Sequence, residues 1–339
     1  MRVDEFDYDL PPDRIAQQPL AERDGSRMLV DSTVTGGAIE HRLTRDLPEY
    51  LRPGDVLVLN DTRVLPARVR FRRPSGGASE VLLLEDRGDG WWEALARPSA
   101  KLKPGLRVEV GPDLAFELGD DLGEGRRLVR PITTDLLAAL DAHGEMPLPP
   151  YIGEPLTDPD RYQTVYARRP ASAAAPTAGL HLTPAVLERC ESAGATIACV
   201  ELVVGLDTFR PIGVEDVTQH AMHTEHYRVP DTTWRACRDA ARVVAVGTTV
   251  VRALESVAAR GALEGRTDLF IHRPYEFQVV DLLLTNFHLP RSSLLVLVDA
   301  FVGPRWRELY ELAKAEGYRF LSFGDAMLLG RSTAQGASS

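Results

Sequence analysis

The chain has 339 residues, of which 44% are hydrophobic and 26% are charged, a composition typical of a soluble globular protein with room for two domains. No uncharged apolar run reaches the ~18 residues that a bilayer span needs, and the acidic start MRVDEFDYDL argues against a secretion signal, so we expect a cytoplasmic protein. The net charge of −10 argues against a polyanionic partner, because nucleic-acid affinity is largely neutralisation of phosphates.

Residues 1–66 have the pattern of α/β structure, with two β-rich runs, SRMLVDSTV and DVLVLNDTRVL, on either side of a Pro-Gly turn signal. From residue 67 to 143 the pattern changes to short, partly alternating runs separated by Gly, Pro and Asp. Such runs predict a small antiparallel β-barrel or sandwich. The proline-stiffened segment GEMPLPPYIG then leads back to the first pattern.

After Tyr162, helical and strand patterns alternate. TPAVLERCESAG has a Thr N-cap, Pro at the first helical position and Gly near its end, and RVVAVGTTV is typical of a strand buried on both faces. This alternation predicts a parallel or mixed sheet between helices. We therefore predict a discontinuous α/β domain, residues 1–66 and 144–330, with the β-rich block 67–143 inserted and a disordered tail, 331–339.

Two stretches place polar residues where a buried strand ends, which is the edge at which open α/β sheets bind ligands. In VVAVGTTVVRALES, Gly247 lets a ligand approach the backbone, and Thr248 and Thr249 offer hydroxyls beside free helix N–H groups. A tight turn with an N-cap is the alternative. In LLLTNFHLP, the Asn-Phe-His of residues 286–288 can hydrogen-bond and stack a heterocycle, although a structural histidine is also open. Neither stretch is a GxGxxG or Walker A motif, so a bound NAD or ATP is not indicated.

Two further stretches contain histidine. In AAAPTAGLHLTP, residues 173–184, small side chains, Gly179 and His181 suit the wall of a ligand site, or else a packed crossover. In HAMHTEHY, three histidines recur with Glu225. Zinc takes such ligands, but no HExxH and no nearby cysteine accompany them, and an acid–base set in which His223 or Glu225 moves a proton is at least as well supported. We predict no metal, and reduced structural cysteines, since the three present lack CxxC spacing.

Residues 60–75 carry five arginines and one aspartate in an otherwise acidic chain. Arg63 follows a buried strand, where a guanidinium can fork onto a phosphate or a carboxylate. The other four form either the cationic face of an exposed strand or a phosphate-facing patch, and composition leaves both open. They are Arg68, Arg70, Arg72 and Arg73.

Ten stretches match one family in order along nearly the whole chain. They are FDYDLPPDRIAQQP, GDVLVLNDTRVLPARV, LARPSAKLKPG, MPLPPYI, DRYQTVYA, AAPTAGLHLTP, MHTEHY, VGTTVVRALES, LLTNFHLPRSSLLVLVDAFVG and YRFLSFGDAML. RYQTVYA, AAPTAGLH and TNFHLP are highly specific. Together the stretches resemble the S-adenosylmethionine:tRNA ribosyltransferase-isomerases of the queuosine pathway.

The resemblance implies a monomeric enzyme with a Rossmann-like α/β/α sandwich and an inserted β-barrel. It implies transfer and isomerisation of the ribosyl part of S-adenosylmethionine onto 7-aminomethyl-7-deazaguanine at the wobble position of tRNA, giving epoxyqueuosine-tRNA, adenine and methionine. S-adenosylmethionine is then a consumed co-substrate, and no cofactor is bound permanently. An S-adenosylmethionine-dependent RNA methyltransferase and a tRNA- or protein-binding module without turnover are the rival functions.

On these grounds we assign roles as hypotheses. The candidates for proton transfer are His181, His223, Glu225 and His288. The candidates for substrate binding are Arg63, Thr177, Gly179, Gly247, Thr248, Thr249, Arg252, Asn286 and Phe287. The candidates for tRNA phosphates are Arg68, Arg70, Arg72 and Arg73. The chain departs from the family pattern at Leu182, Val203, Asp207 and Val250, and the second and third departures argue against an essential proton transfer near residue 203.

Overall fold

The computed structural model describes residues 1–205, 211–222 and 224–332, so the predicted tail lies outside these ranges from residue 333 onward. Within them, no helix combines the length and apolar character that crossing a membrane requires. The strands are β1 Arg27–Val30, β2 Glu40–Leu43, β3 Asp55–Asn60, β4 Thr62–Val64, β5 Arg68–Arg72, β6 Ala78–Gly88, β7 Trp91–Arg97, β8 Arg107–Glu109, β9 Ala115–Gly123, β10 Arg126–Ile132, β11 Gly144–Glu145, β12 Arg169–Ser172, β13 Thr196–Leu202, β14 Glu225–Arg228, β15 Arg242–Val246, β16 Glu264–Thr267, β17 Leu282–Asn286 and β18 Ala326–Gly330. The α-helices are α1 Ser32–Thr35, α2 Leu136–His143, α3 Pro184–Ser192, α4 Asp231–Asp239, α5 Thr248–Arg260, α6 Ser293–Val302 and α7 Trp306–Ala315.

Nine strands form one mixed sheet in the order β16-β14-β13-β3-β15-β17-β18-β1-β2. The four neighbouring strands β13, β3, β15 and β17 run parallel, whereas β18 runs antiparallel to β17 and β14 runs antiparallel to β13. The prediction of an α/β fold with a parallel or mixed sheet is confirmed. Because β15 and β17 are parallel neighbours, their carboxyl ends lie side by side at one edge of the sheet.

Alternate residues of β3 point into different hydrophobic cores. Val56 and Val58 pack in a core that contains residues of α5, α6 and α7, whereas Leu57 and Leu59 pack in a core that contains residues of α3. Successive side chains of a strand face opposite sides, so helices cover the sheet on both faces. This double burial explains why β3 is an almost uninterrupted apolar run.

A second, antiparallel sheet, which we call the small sheet, has the order β11-β5-β6-β7-β10-β9-β8 and runs from Arg68 to Glu145. β4 and β12 form a separate parallel pair. In β5, Val69 and Phe71 are buried whereas Arg70 and Arg72 are exposed, which is the alternation expected of a strand with one solvated face. The predicted antiparallel sheet is confirmed. Its ladder is open rather than closed, since β11 and β8 are not hydrogen-bonded to each other in the described chain. The domain limits 67 and 143 stay a prediction.

A buried carboxylate ties α5 to the segment that leads into β17. Glu255 is fully buried, and its Oε1 accepts the N–H groups of Val279 at 3.0 Å and Val280 at 3.2 Å. Its Oε2 accepts the N–H of Gln278 at 3.0 Å and the hydroxyl of Tyr275 at 3.3 Å. The helix that begins at the end of β15 is therefore held against the strand whose end lies beside it.

We expect Glu255→Gln to lower the free energy of unfolding by about 2 kcal/mol, because the amide loses charged hydrogen bonds and turns an NH₂ group toward backbone donors. Urea unfolding followed by circular dichroism measures this difference. Glu311→Gln is the matched control: this side chain is 65% exposed on α7, and its replacement should change stability by less than about 0.5 kcal/mol. Equal effects of the two substitutions would contradict the role given to Glu255.

Candidate functional site

Three loops meet at a cavity beside the carboxyl ends of β15 and β17, which we call the strand-end cavity. They are residues 175–178, the turn 247–249 and the corner 285–289. The cavity has a volume of about 50 Å³, and Tyr151 and Ser322 contribute to its wall. The structure thus brings together the three motifs that the sequence singled out. The predicted residues that line the cavity are Thr177, Gly247, Thr248, Thr249, Asn286, Phe287 and His288.

The turn 247–249 presents hydrogen-bond donors to this cavity. Gly247 is the N-cap of α5 with φ +91° and ψ 153°, a conformation open almost only to glycine. The first N–H groups of a helix have no partner within the helix and carry partial positive charge. The hydroxyl oxygen of Thr249 is buried without a hydrogen-bond partner. An unpaired buried hydroxyl beside helix N–H groups indicates a place for an electronegative ligand group.

The Asn286 amide connects the loop 173–184 to the end of β17. Thr177 Oγ1 donates to Asn286 Oδ1 at 3.0 Å. Asn286 Nδ2 lies 3.0 Å from His181 Nε2 and 3.4 Å from the Asp325 carbonyl oxygen, and because an amide NH₂ only donates, His181 Nε2 must accept. Both polar ends of the amide are therefore bonded to protein groups, which favours a positioning role for Asn286 over direct reading of a heterocycle.

His181 is buried behind Asn286 rather than in the strand-end cavity. It lines a smaller cavity of about 20 Å³, which shares Ser322 with the larger one. Burial, followed by the positive charges of Arg319 and Arg23, lowers the pKa of His181 to about 4. Since Nε2 accepts, the proton of the neutral ring sits on Nδ1. The imidazole is neutral at physiological pH.

His288 borders the strand-end cavity itself. Its backbone N–H donates to the Tyr310 hydroxyl at 3.0 Å, its carbonyl accepts from Tyr8 at 2.5 Å, and its Nε2 lies 3.3 Å from Thr285 Oγ1. Burial lowers the pKa of His288 to about 3, so this ring is also neutral. Of the three predicted proton-transfer residues that the structure describes, His288 is the one that lines the strand-end cavity.

Phe287 and Gly179 have packing roles that the sequence did not reveal. The Phe287 ring is fully buried and lies 4.7 Å, centroid to centroid, from Phe320 and 5.3 Å from Tyr310. This accounts for an aromatic residue at position 287 without a stacked ligand. A Cβ on Gly179 would lie 1.9 Å from the Tyr166 hydroxyl oxygen, so glycine is needed there for close packing. Their ligand contacts stay predictions.

Glu225 and Arg252 form a buried ion pair away from the strand-end cavity. Glu225 Oε1 also accepts the N–H of Gly205 at 3.3 Å, and the carboxylate lines a cavity of about 320 Å³ between the two sheets. Arg252 does not line the strand-end cavity, and its Nη2 is buried without a hydrogen-bond partner. His223 lies outside the described residues, and among those that are described no group of His, Cys, Asp or Glu is arranged to hold a metal ion.

The predicted phosphate-binding arginines divide into two sets. A third cavity, of about 980 Å³, lies between the small sheet and the proline-rich segment 146–156. We call it the arginine groove, and its arginines are Arg63, Arg68, Arg70 and Arg97. Arg72 and Arg73 do not line it, because Arg72 donates to the Gly76 carbonyl at 3.1 Å and Arg73 packs against Gly77.

The family described as queuosine biosynthesis protein matches residues 3–329. The chain belongs to this queuosine biosynthesis family. The S-adenosylmethionine:tRNA ribosyltransferase-isomerase of Rubrobacter xylanophilus is 55% identical over 97% of this chain and 98% of its own. That of Moorella thermoacetica is 51% identical over 97% of this chain and 100% of its own. The crystal structure of an S-adenosylmethionine tRNA ribosyltransferase from Thermotoga maritima matches with a TM-score of 0.54 and 38% identity, over 96% of this chain and 99% of that one.

The family resemblance stated from the sequence is therefore confirmed. Tyr151 and Ser322, whose oxygens lie 2.7 Å apart, are among the cavity residues of this queuosine biosynthesis family member that the sequence analysis did not single out. Beside them, Leu321 has φ +68°, a left-handed conformation that costs a non-glycine residue energy and is often found at functional sites. All three lie in stretches that match the family, MPLPPYI and YRFLSFGDAML. The sequence thus marked these segments, but it gave no role to their residues.

The departures from the family pattern differ in their structural setting. Leu182 is fully buried in the core that contains α3, so the departure keeps an apolar side chain at a buried position. Val203 lines the cavity between the two sheets, next to Glu225. Asp207 lies outside the described residues.

The neutral histidines of this family member predict a pH dependence of stability. His181 has a pKa lowered to about 4 from its ordinary 6.5, so between these values the unfolded chain binds more protons than the folded one. The contribution of the neutral His181 ring to the free energy of unfolding is therefore fully present above pH 6.5, and it is lost as the pH decreases toward 4. We expect the free energy of unfolding of His181→Gln to decrease less steeply with falling pH across this range, with a slope that corresponds to up to one fewer proton taken up on unfolding. Urea unfolding at several pH values measures this slope. Identical slopes in the two proteins would contradict the neutral buried ring.

Proposed function

We propose that this chain is an S-adenosylmethionine:tRNA ribosyltransferase-isomerase. It transfers and isomerises the ribosyl part of S-adenosylmethionine onto the 7-aminomethyl-7-deazaguanine at the wobble position of tRNA, and it releases adenine and methionine. The observation that carries the proposal is the meeting of three family motifs at the strand-end cavity, in a chain whose full-length relatives bear this name. We further propose a Rossmann-like parallel core, a monomeric cytoplasmic enzyme, and S-adenosylmethionine as a consumed co-substrate with no permanent cofactor.

The turn 247–249 would hold the methionine end of the co-substrate. The free N–H groups of α5 favour a carboxylate, and the unpaired Thr249 hydroxyl supplies a further donor. Arg252, another candidate for substrate binding, forms a buried ion pair with Glu225. The described cavity of about 50 Å³ is smaller than the 300–1,000 Å³ or so of typical ligand pockets, so the nucleoside must extend beyond it or displace part of its wall.

The reaction needs a base, an acid and a neutral amine. A base removes a proton from the carbon next to the sulfonium, adenine leaves more easily when its ring is protonated, and the aminomethyl nitrogen must be neutral to attack. A neutral imidazole can accept a proton, and His288 at the cavity is the better placed of the two buried rings. His181 does not line this cavity, so its effect on the reaction would come from holding the Asn286 amide in position. Glu225 and His223 stay candidates for the group that removes a proton from the aminomethyl nitrogen and so keeps it neutral.

Free adenine is the product that tests this function. Incubation with S-adenosylmethionine and tRNA carrying the aminomethyl base should release adenine, and unmodified tRNA should release none, as measured by chromatography. S-adenosylhomocysteine without adenine would instead indicate a methyltransferase. Tight tRNA binding with neither product would indicate a binding module, and either result would overturn the proposal.

Thr249→Val tests the co-substrate contact, because valine keeps the shape of threonine and removes the hydroxyl. We expect affinity for S-adenosylmethionine to fall by about 2- to 12-fold, the equivalent of one net hydrogen bond. The ligand-free variant should melt no lower than the parent, since the hydroxyl has no partner to lose. Thr249→Ser keeps the hydroxyl and is the control. Unchanged calorimetric affinity of Thr249→Val would remove Thr249 from the site.

A further inference from the structure

The arginine groove has unequal walls. One wall is formed by residues of β4 and of the small-sheet strands β5 and β7, and it carries the four arginines. On the other side it is lined by the segment from Met146 to Asp160, which includes Pro149, Pro150, Pro155 and Pro159. Because each proline restricts its own φ and the conformation of the residue before it, this wall is stiff. The groove is thus largely formed before any ligand arrives.

Two of the four arginines already have carboxylate partners. Arg70 pairs with Glu145 at 3.1 Å and with Glu80 at 3.7 Å, and Arg97 lies 3.8 Å from the same Glu80. These pairs neutralise much of the charge on that part of the wall.

Arg63 and Arg68 have no such partner. Neither forms an ion pair with any carboxylate of the described residues, and Arg68 Nε is buried without a hydrogen bond. The groove carboxylates other than Glu145 belong to α2 and to the segment 154–160, not to the strands that carry these two arginines. Unpaired guanidinium groups at a groove wall favour anions, and phosphates in particular, which they bind through two parallel hydrogen bonds.

One short stretch, residues 150–152, contributes to both the groove and the strand-end cavity. Pro150 and Ile152 line the groove, whereas Tyr151 between them lines the strand-end cavity and bonds there to Ser322. The segment around Tyr151 is therefore shared between the wall of the groove and the wall of the cavity. This continuity suits a polymeric substrate of which one unit reacts.

We propose that the arginine groove holds the sugar–phosphate backbone of the RNA substrate, with Arg63 and Arg68 each contacting a phosphate. This inference rests on the proposed function, because it takes RNA as the substrate. It also divides the basic segment 60–75: Arg72 and Arg73 are outside the groove and take no part. The negative net charge of the chain is then no obstacle, since the unpaired charge is local.

The double variant Arg63→Gln/Arg68→Gln removes both unpaired charges, and Arg72→Gln/Arg73→Gln is the matched control with the same change of net charge. Binding of a tRNA transcript is measured by fluorescence anisotropy at several salt concentrations. For single-stranded contacts, each lost phosphate contact reduces the slope of log K against log salt by about 0.7, so the groove variant should lose about 1.4. The control should keep the parental slope and affinity.

An unchanged slope in the groove variant, or an equal loss in the control, overturns the proposal. Poly-glutamate serves as an acidic peptide probe: if its binding depends on Arg63 and Arg68 while tRNA binding does not, the groove belongs to a protein partner and the proposal is wrong. Should the double variant melt far below the parent, the single variant Arg63→Gln replaces it, with an expected loss in slope of about 0.7.

The same set of proteins separates this inference from the proposed function. Adenine release by the parent together with an unchanged slope in the groove variant means that the groove assignment fails and the function stands. A slope that depends on Arg63 and Arg68, without adenine release by the parent, means that the function fails and the groove stands as an RNA-binding surface.

Discussion

The loop 173–184 reaches the end of β17 through one buried amide, that of Asn286, whose oxygen accepts from Thr177 and whose nitrogen donates to His181. In a buried setting an unpaired amide or imidazole is costly, so the loop cannot leave this position without leaving polar groups unsatisfied. The same bond decides which nitrogen of His181 carries the proton. The Asn286 side chain therefore fixes both the position of this loop at the cavity and the protonated nitrogen of the ring behind it.

The sheet brings the remaining parts of the site into place. β15 and β17 are parallel neighbours, so the turn that starts α5 and the corner that follows β17 emerge at the same edge. Glu255, two helical turns into α5, accepts three backbone N–H groups just before β17 and so holds the two elements against each other. The cavity therefore forms only when these elements pack together, because its wall is made of residues from several motifs.

Much of this could be predicted from the sequence, since buried strands, helix caps and the Gly-Thr-Thr turn depend on local patterns. The direction in which each side chain points was harder to predict. Asn286, Phe287 and His288 all line the cavity, but the Phe287 ring also packs against Phe320 and Tyr310, which no local pattern shows. The need for Gly179 arises from Tyr166, 13 positions earlier, and no local pattern shows such a contact. Closure of the small sheet likewise depends on the distance between its edge strands.

Burial of the two imidazoles has a consequence for the proposed reaction. The co-substrate carries a permanent positive charge on sulfur, and a second positive charge at 4 Å would oppose binding by about 4 kcal/mol at an effective dielectric constant of 20. Burial keeps the pKa of His181 near 4 and that of His288 near 3, so neither ring brings that charge, and each can still accept a proton. The same property prevents either ring from starting as the acid that protonates adenine. The acid must then be another group, or a ring that has first taken the proton from the carbon beside the sulfonium. In the second case the transfer to adenine would follow immediately, because a charged ring at this depth is unstable and gives up its proton readily.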